Sequence, residues 1–83
     1  MDNWVTYLVE CQDGSLYCGA TNNIEKRVAT HNSGKGSKYT RSRLPVTLML
    51  TSKLLSKQDA LKLERVVKKQ KANEKIGYLR KFI

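Results

Sequence analysis

Two short β-prone runs joined by a turn constrain the fold of this chain most strongly. Residues 4–9 (WVTYLV) and 16–21 (LYCGAT) are rich in branched and aromatic side chains, which favour β-strands. The residues Gln12-Asp13-Gly14 between them are typical of a hairpin turn. The sequence therefore predicts a β-hairpin near the start of the chain.

The length of the hairpin loop decides which side chains share a face of the ribbon. A two-residue turn would place Tyr7 and Tyr17 on opposite faces. A three-residue loop, with Gly14 in the left-handed conformation, would pair Cys11 with Ser15 and place both tyrosines on one face. Residue propensity is compatible with either loop.

A short helix is expected after the second strand. Asn22 followed by Glu25 resembles a capping box, and residues 23–31 have helical composition. The side of this helix that should face the core carries, at helical spacing, Ile24, Arg27, Val28 and His31. An arginine and an imidazole at two of these four positions are unusual for a core face.

A basic segment separates this helix from a third strand. Residues 32–43 contain two glycines, three serines and four lysines or arginines, which predicts a mobile, cationic loop. Pro45 then precedes a run of β-branched and apolar residues at 46–51, which predicts the third strand.

Two helices are predicted in the last third of the chain. Ser56 with Asp59 caps a long helix that runs to about residue 72, and residues 74–83 form a shorter one. The carboxylate of Glu64 falls within the apolar stripe of the long helix, which includes Ala60, Leu61, Leu63, Val66 and Val67. The shorter helix carries Ile76, Leu79 and Ile83 on one side.

Composition limits the class of protein. Sixteen Lys and Arg against seven Asp and Glu give a net charge of +9 over 83 residues, which attracts polyanions and favours nucleic acid as the partner. A ribosome-associated or merely soluble basic domain remains an alternative. The chain is expected to be one domain (1–83), soluble and cytoplasmic, because it has neither a membrane-length apolar run nor a signal sequence. Cys11 and Cys18 have no metal-ligand spacing and are expected to be free and buried.

The unusual polar residues match what phosphodiester hydrolysis needs. Arg27 can bind phosphate oxygens and Glu64 can hold one Mg²⁺ that keeps most of its waters. Tyr7, Tyr17 and His31 can position or deprotonate the attacking water. Because a tyrosine has a pKa of about 10, either nearby cations such as Arg27 lower it or His31 takes the proton.

These residues resemble the GIY-YIG nuclease superfamily over nearly the whole chain. The resemblance lies in Val5-Thr6-Tyr7, in Tyr17-Cys18-Gly19-Ala20-Thr21 ten residues later, and in the later Asn23, Arg27, His31 and Glu64. Leu16-Tyr17-Cys18-Gly19 and the segment GKGSKYT (34–40) are similar to its small bacterial branch of mostly uncharacterised proteins, which are bare catalytic domains.

The resemblance implies a fold and a role for each residue. It implies an α+β fold, a three-stranded antiparallel sheet flanked by helices, with a single-metal hydrolytic centre on one face. Tyr7 and Tyr17 are expected at that centre, Arg27 at the scissile phosphate, His31 beside them, and Glu64 as the ligand of Mg²⁺ or Mn²⁺. The three-residue hairpin loop is favoured, since only that register places both tyrosines on one face.

The sequence departs from the family pattern at structural positions. Val5 and Thr6 stand where the first motif has Gly and Ile, and Cys18 stands where the second has Ile. Asn73 lies nearer to Glu64 than the late asparagine of several members, and it is given no role. Many relatives add a DNA-binding domain for which this chain has no room, so recognition of a long sequence is not expected.

Other surface residues have a functional and an ordinary interpretation. One interpretation is a nucleic-acid-binding surface, in which Tyr39 stacks on a base, formed by Lys35, Lys38, Tyr39 and Arg41. The other is a loop whose charged side chains are simply solvated. Glu64 could instead form an i, i+4 contact with Lys68. A solvated helix face is expected for Lys68, Lys69, Lys71 and Lys75.

The sequence therefore predicts a metal-dependent endonuclease that acts on nucleic acid in repair or processing. It favours DNA over RNA as the substrate and leaves the choice between them open. It predicts no small-molecule cofactor and no membrane association, and it leaves the oligomeric state open. A nucleic-acid-binding module with a silent centre is the main alternative, and an accessory protein that contacts a partner is a third. The joint presence of all five candidate residues favours the enzyme.

Overall fold

A three-stranded antiparallel sheet forms the centre of the protein. The computed structural model describes residues 1–83. The strands are β1 (Val5–Glu10), β2 (Leu16–Thr21) and β3 (Thr47–Thr51), in the order β2-β1-β3. The helices are α1 (Ile24–Asn32), α2 (Lys38–Arg41), α3 (Lys57–Lys68) and α4 (Lys75–Arg80), with a 3-10 turn at Ala72–Glu74. This is the predicted α+β fold.

The hairpin has the register of the three-residue loop. The Cys11 amide donates to the Ser15 carbonyl at 2.8 Å, and the Gly14 amide donates back to the Cys11 carbonyl at 2.9 Å. Gly14 has a φ of 83°, the left-handed conformation in which glycine is favoured over other residues. Val9 therefore pairs with Tyr17, and the two tyrosines lie on the same face of the sheet.

The two faces of the sheet are packed against different helices. One face packs with α3 and α4 through the buried side chains of Leu8, Cys18, Leu63, Val67 and Leu79. The other face carries Tyr7, Val9, Cys11 and Val46, against which Ile24 and Val28 of α1 pack. Both cysteines are free and buried, as predicted. The candidate tyrosines thus lie on the face that α1 covers.

Of the two predicted helix caps, one is shifted by a residue and the other is confirmed. Asn23, not Asn22, caps α1, because its side chain accepts from the Lys26 amide three residues on and the helix begins at Ile24. The backbone amide of this cap residue, Asn23, donates in turn to the Thr21 hydroxyl at 3.1 Å, which fixes the cap relative to the end of β2. Ser56 caps α3 as predicted, by accepting from the Asp59 amide.

The prediction that residues 32–43 form a loop is wrong in part, because the segment contains a short helix. Ser37 caps the one-turn helix α2 by accepting from the Thr40 amide at 3.1 Å. The Asn32 side chain pairs with both backbone groups of Val46, at 2.7 and 3.1 Å, and so joins the end of α1 to the start of β3. The many polar residues of this segment are therefore partly used as caps and cross-links.

The predicted extents of the last two helices were too long. α3 ends at Lys68 rather than near residue 72, and α4 spans Lys75–Arg80 rather than residues 74–83. Past the end of α3 the Lys75 ammonium donates to the carbonyls of Val67, Lys68 and Gln70, and so satisfies acceptors that the helix end leaves without an intrahelical partner. Lys75 is therefore not part of a solvated helix face.

The predicted apolar stripes were also too wide. Leu61 and Val66 of the α3 stripe are exposed, as is Ile83 beyond the end of α4. Only Ala60, Leu63 and Val67 are buried on α3, because a 12-residue helix against a small sheet covers a narrow strip. No helix of the protein has the length and apolar character needed to cross a membrane.

Candidate active site

A buried tyrosine–histidine pair forms the centre of the candidate site. The Tyr7 hydroxyl lies 2.9 Å from Nε2 of His31, and both residues are almost fully buried. Nδ1 of His31 lies 2.9 Å from Oγ1 of Thr40, which in turn contacts Ser37. Tyr7 on β1 and His31 on α1, which are 24 residues apart, are thus joined to α2 through one imidazole.

The hydrogen-bond partners assign the protons of this pair. His31 is the only hydrogen-bond partner of the Tyr7 hydroxyl. A buried hydroxyl without an acceptor is costly, so the Tyr7 O–H donates to Nε2. The Nδ1–H of the neutral imidazole then donates to the Thr40 hydroxyl, which donates onward to Ser37. His31 is therefore held in the tautomer that can accept a proton from Tyr7.

Burial shifts both partners toward their neutral forms. Burial, together with the charge fields of Tyr17 and Glu64, raises the pKa of Tyr7, and this outweighs the lowering by the Arg27 guanidinium. Burial first and Arg27 second lower the pKa of His31 below 6.5. Of the two alternatives that the sequence left open, the raised pKa of Tyr7 favours the one in which His31 takes the proton. A neutral His31 is the available proton acceptor.

Tyr17 lies next to this pair at the surface of the same sheet face. Its ring meets the imidazole of His31 edge to face, with centroids 5.2 Å apart. On its other side the ring of Tyr39 from α2 is stacked at 5.9 Å. The half-buried ring of Tyr17 thus contacts the rings of both His31 and Tyr39.

The opposite face of Tyr39 is covered by an arginine. The guanidinium carbon of Arg43 lies 4.0 Å above the centre of the Tyr39 ring. Nε of Arg43 contacts the Asp13 carboxylate at 3.1 Å, so the hairpin turn holds the arginine in place. A nucleic-acid base could stack on Tyr39 only after Arg43 moved away.

Glu64 approaches the tyrosines from the helix on the other face of the sheet. Its side chain is 19% exposed and its Oε2 lies 2.8 Å from Nζ of Lys68. The same ammonium lies 5.6 Å from the centre of the Tyr17 ring. Glu64 and Lys68 therefore stand beside Tyr17, and the i, i+4 pair that competed with the metal interpretation is present.

Two polar clefts flank these residues. One has a volume of about 280 Å³, contains no hydrophobic residue, and is lined by Thr21, Asn22, Asn23, Lys26, Arg27 and Thr30. The other, also about 280 Å³, is lined by Leu61, Glu64, Arg65 and Lys68. Arg27 and Glu64 thus each open onto solvent-accessible space with a neighbouring cation, as binding of a phosphate chain requires.

Comparison with known proteins identifies the family. The sequence model described as the GIY-YIG catalytic domain matches residues 3–77, which is nearly the whole chain. The chain belongs to the GIY-YIG family. All five candidate catalytic residues, from Tyr7 to Glu64, lie within the matched segment.

Individual relatives agree with this assignment to the GIY-YIG family. The chain is 49% identical over 76 residues to the UPF0213 protein YsiG of Lactococcus lactis, covering 86% of this chain and 73% of YsiG. It is 51% identical over 75 residues to a UPF0213 protein of Bacillus cereus, covering 90% and 78% of the two chains. The predicted resemblance is therefore confirmed.

Two NMR structures share the GIY-YIG fold seen here. The protein EF2693 from E. faecalis is 40% identical with a TM-score of 0.63, and the match covers 99% of this chain and 91% of that one. The UPF0213 protein BH0048 from Bacillus halodurans is 39% identical with a TM-score of 0.56, and the match covers 93% and 82%.

The donor set of this GIY-YIG domain fits a divalent ion held mainly by water and phosphate. No group of three or more His, Cys, Asp or Glu side chains comes together, so a cage of protein ligands is absent. Mg²⁺ commonly binds through one or two carboxylates while keeping waters and contacting substrate phosphates. The largely buried carboxylate of Glu64, open to a polar cleft, can serve as that single ligand.

The four predicted nucleic-acid-binding residues lie in or near α2. Lys38 and Arg41 belong to the helix, Lys35 precedes it, and all three side chains are exposed. Tyr39 is the member whose ring contacts the site, through Tyr17. The cations of this group are thus carried on or just before the short helix whose Tyr39 ring stacks on Tyr17.

Sequence reasoning missed the small residues that let the pair form. A β-carbon on Gly19 would lie 2.6 Å from Cζ of Tyr7, and one on Gly36 would lie 2.7 Å from Cγ of His31. The Tyr7 and His31 rings therefore lie directly against glycine backbone. Thr40, which orients the imidazole, was also missed. The sequence signals for the two glycines were the motif Tyr17-Cys18-Gly19 and the segment GKGSKYT, but neither pattern shows that the glycine lies against a ring.

Proposed function

We propose that this protein is a cytoplasmic, metal-dependent endonuclease that hydrolyses phosphodiester bonds in nucleic acid. The proposed substrate is DNA, single-stranded or structured, in repair or processing. The observation that carries the proposal is the buried Tyr7–His31 pair, with Tyr17, Arg27 and Glu64 around it. Both ring nitrogens of this buried histidine are hydrogen-bonded to hydroxyl groups, so the imidazole is held in a fixed orientation beside Tyr7.

The proposed reaction begins with proton movement through this pair. The attacking water gives a proton to the Tyr7 oxygen as the Tyr7 O–H proton passes to Nε2 of His31. The imidazole becomes positively charged, and its Nδ1–H remains bound to Thr40. The relay lets a tyrosine of raised pKa act at neutral pH, because no free phenolate is formed.

The charge that develops on the phosphate is opposed by Arg27. Its planar guanidinium can donate two parallel hydrogen bonds to phosphate oxygens. Glu64 would hold the Mg²⁺ or Mn²⁺ ion. Such an ion, when bound, withdraws charge from the phosphate and favours ionisation of a bound water. Lys35, Lys38 and Arg41 would bind flanking phosphates as the nucleic acid crosses the site.

A nucleic-acid-binding module with a silent centre is the second candidate. It is favoured by one observation, the ion pair in which Nζ of Lys68 lies 2.8 Å from Oε2 of Glu64. In that case Glu64 would stabilise α3 and would have no part in chemistry.

The substrate panel experiment separates the two candidates. Labelled single-stranded, duplex and branched DNA and RNA are incubated with Mg²⁺, Mn²⁺ or a chelator, with wild type and Glu64→Gln. We expect cleavage of at least one DNA in metal, none in chelator, and a loss of about 10²-fold or more in Glu64→Gln. Binding by both proteins without cleavage under any condition would support the silent module instead.

The pH dependence of cleavage should follow His31. Its pKa is lowered below 6.5 in the folded protein, so the neutral form persists into mildly acidic solution and is lost as the pH falls through the lowered pKa. The acidic limb of kcat/KM is therefore expected below pH 6.5. Tyr7, whose pKa is raised, gives no limb below pH 10. A rate that climbed about tenfold per pH unit from 6 to 10 would instead indicate a phenolate base.

A further inference from the structure

Lys68 already holds a positive charge where the proposed metal would bind. Its Nζ lies 2.8 Å from Oε2 of Glu64, within the distance of a strong charged hydrogen bond. The Glu64 side chain is 19% exposed, and Lys68 is its only ionic partner. A largely buried carboxylate needs such a partner, because an unpaired charge is poorly solvated there.

The surroundings of Lys68 allow it to leave. Its side chain is 48% exposed and borders the cleft that also contains Leu61 and Arg65. Beyond Glu64 the ammonium has only the face of Tyr17, 5.6 Å away. A lysine has a flexible four-carbon stem and no fixed geometry, so it can exchange one anion for another nearby.

We propose that Lys68 competes with the divalent ion for Glu64 in the free protein and moves to a phosphate of the nucleic acid when substrate binds. The inference rests on the proposed function. A dication and an ammonium repel each other, so each lowers the affinity of Glu64 for the other. The phosphate chain supplies Lys68 with a replacement anion and releases Glu64 for the metal.

Cooperative binding of metal and nucleic acid follows from this exchange. If nucleic acid removes the competitor, it raises the affinity for metal, and by linkage the metal raises the affinity for nucleic acid by the same factor. Without substrate the metal site is weak, which also follows from a single protein carboxylate. The free protein would then hold little metal until a phosphate chain has bound.

Binding of Mn²⁺ alone, followed by electron paramagnetic resonance without nucleic acid, tests the competition. Lys68→Met keeps the aliphatic stem and removes the charge, and it is expected to lower the Kd for Mn²⁺ by about five-fold or more. Lys69→Met, one residue along, removes the same charge from an exposed lysine without an ion pair. It is expected to match wild type. Lys68→Arg, which keeps the charge, should retain the weak binding of wild type.

The outcomes of this titration are distinct. A Kd for Lys68→Met equal to that of Lys69→Met would overturn the competition, since only general charge would then matter. Glu64→Gln should bind Mn²⁺ more weakly than wild type, and equal binding would also overturn it. If Lys68→Met binds Mn²⁺ tightly but wild type cuts none of the tested nucleic acids, the proposed nuclease activity fails while the competition stands.

The second half of the exchange is tested with a labelled DNA oligonucleotide in Ca²⁺. Its affinity for the protein is measured by fluorescence anisotropy over a range of salt concentrations. Loss of one phosphate contact in Lys68→Met should reduce the slope of log affinity against log salt by about 0.7–0.9. Adding Ca²⁺ should raise the affinity of wild type more than that of Lys68→Met. Equal gains in the two proteins would overturn the proposed transfer of Lys68 to phosphate.

Discussion

Replacement of His31 by alanine is expected to lower the rate of cleavage by about 10²–10⁴-fold, because the acceptor of the Tyr7 proton is removed. The same change leaves the buried hydroxyls of Tyr7 and Thr40 without their shared partner. We therefore expect the free energy of unfolding to fall by about 1–3 kcal/mol. Single-turnover cleavage at a temperature where the variant is folded, together with urea unfolding, measures the two effects separately.

Thr40→Val is the matched control for this prediction. Valine has nearly the shape of threonine, so the Tyr7–His31 contact remains while the acceptor for Nδ1–H is lost. A smaller reduction, on the order of tenfold, is expected because the proton acceptor is present but less well oriented. If His31→Ala and Thr40→Val cut as fast as wild type, His31 has no part in proton transfer.

The second large effect is expected from adding one methyl group at Gly19 or Gly36. The new β-carbon of Gly19→Ala would contact the Tyr7 hydroxyl and lie 2.6 Å from its Cζ. That of Gly36→Ala would contact Nδ1 of His31 and lie 2.7 Å from its Cγ. Each ring must move, which breaks the 2.9 Å hydrogen bond, so cleavage should fall by about 10²-fold or more.

Gly77→Ala provides the control for the glycine variants. It lies within α4, and a β-carbon there would meet nothing within 4 Å. The change is expected to leave cleavage unaltered and to stabilise the protein by about 0.4–1 kcal/mol, because alanine loses less backbone freedom in a helix. Thermal unfolding and a cleavage assay on all three variants make the comparison. Full activity in Gly36→Ala would show that close contact with His31 is unnecessary.

Local patterns predicted the hairpin and most of the elements. The turn sequence is compatible with two strand registers, that of a two-residue turn and that of a three-residue loop. They differ in whether Tyr7 and Tyr17 share a face of the sheet, and in the structure they do. The resemblance to a nuclease family favoured the register that the structure has. The caps at Ser56 and Asn23 were predicted to within one residue, since a capping side chain acts over three residues of sequence.

The remaining features depend on contacts between distant parts of the chain. Carbonyls at the end of α3 are hydrogen-bonded by Lys75, which is indistinguishable in sequence from a solvated lysine. The burial that raises the pKa of Tyr7 comes from packing against α1, a contact between distant residues, so the sequence left the direction of this shift open. The contact of Lys68 with Glu64 could be predicted as an alternative, because it is an i, i+4 pair on one helix, whereas the position of Arg43 over Tyr39 could not.

The central claim is that catalysis runs through the hydroxyl of Tyr7, and single-turnover cleavage by Tyr7→Phe in Mg²⁺ tests it most directly. The substitution keeps the ring against Gly19 and removes only the oxygen that contacts His31. We predict metal-dependent cutting by wild type and a rate about 10²–10⁴-fold lower in Tyr7→Phe, with unchanged binding of nucleic acid. Cutting by Tyr7→Phe at the wild-type rate, or no metal-dependent cutting by wild type, would contradict the claim.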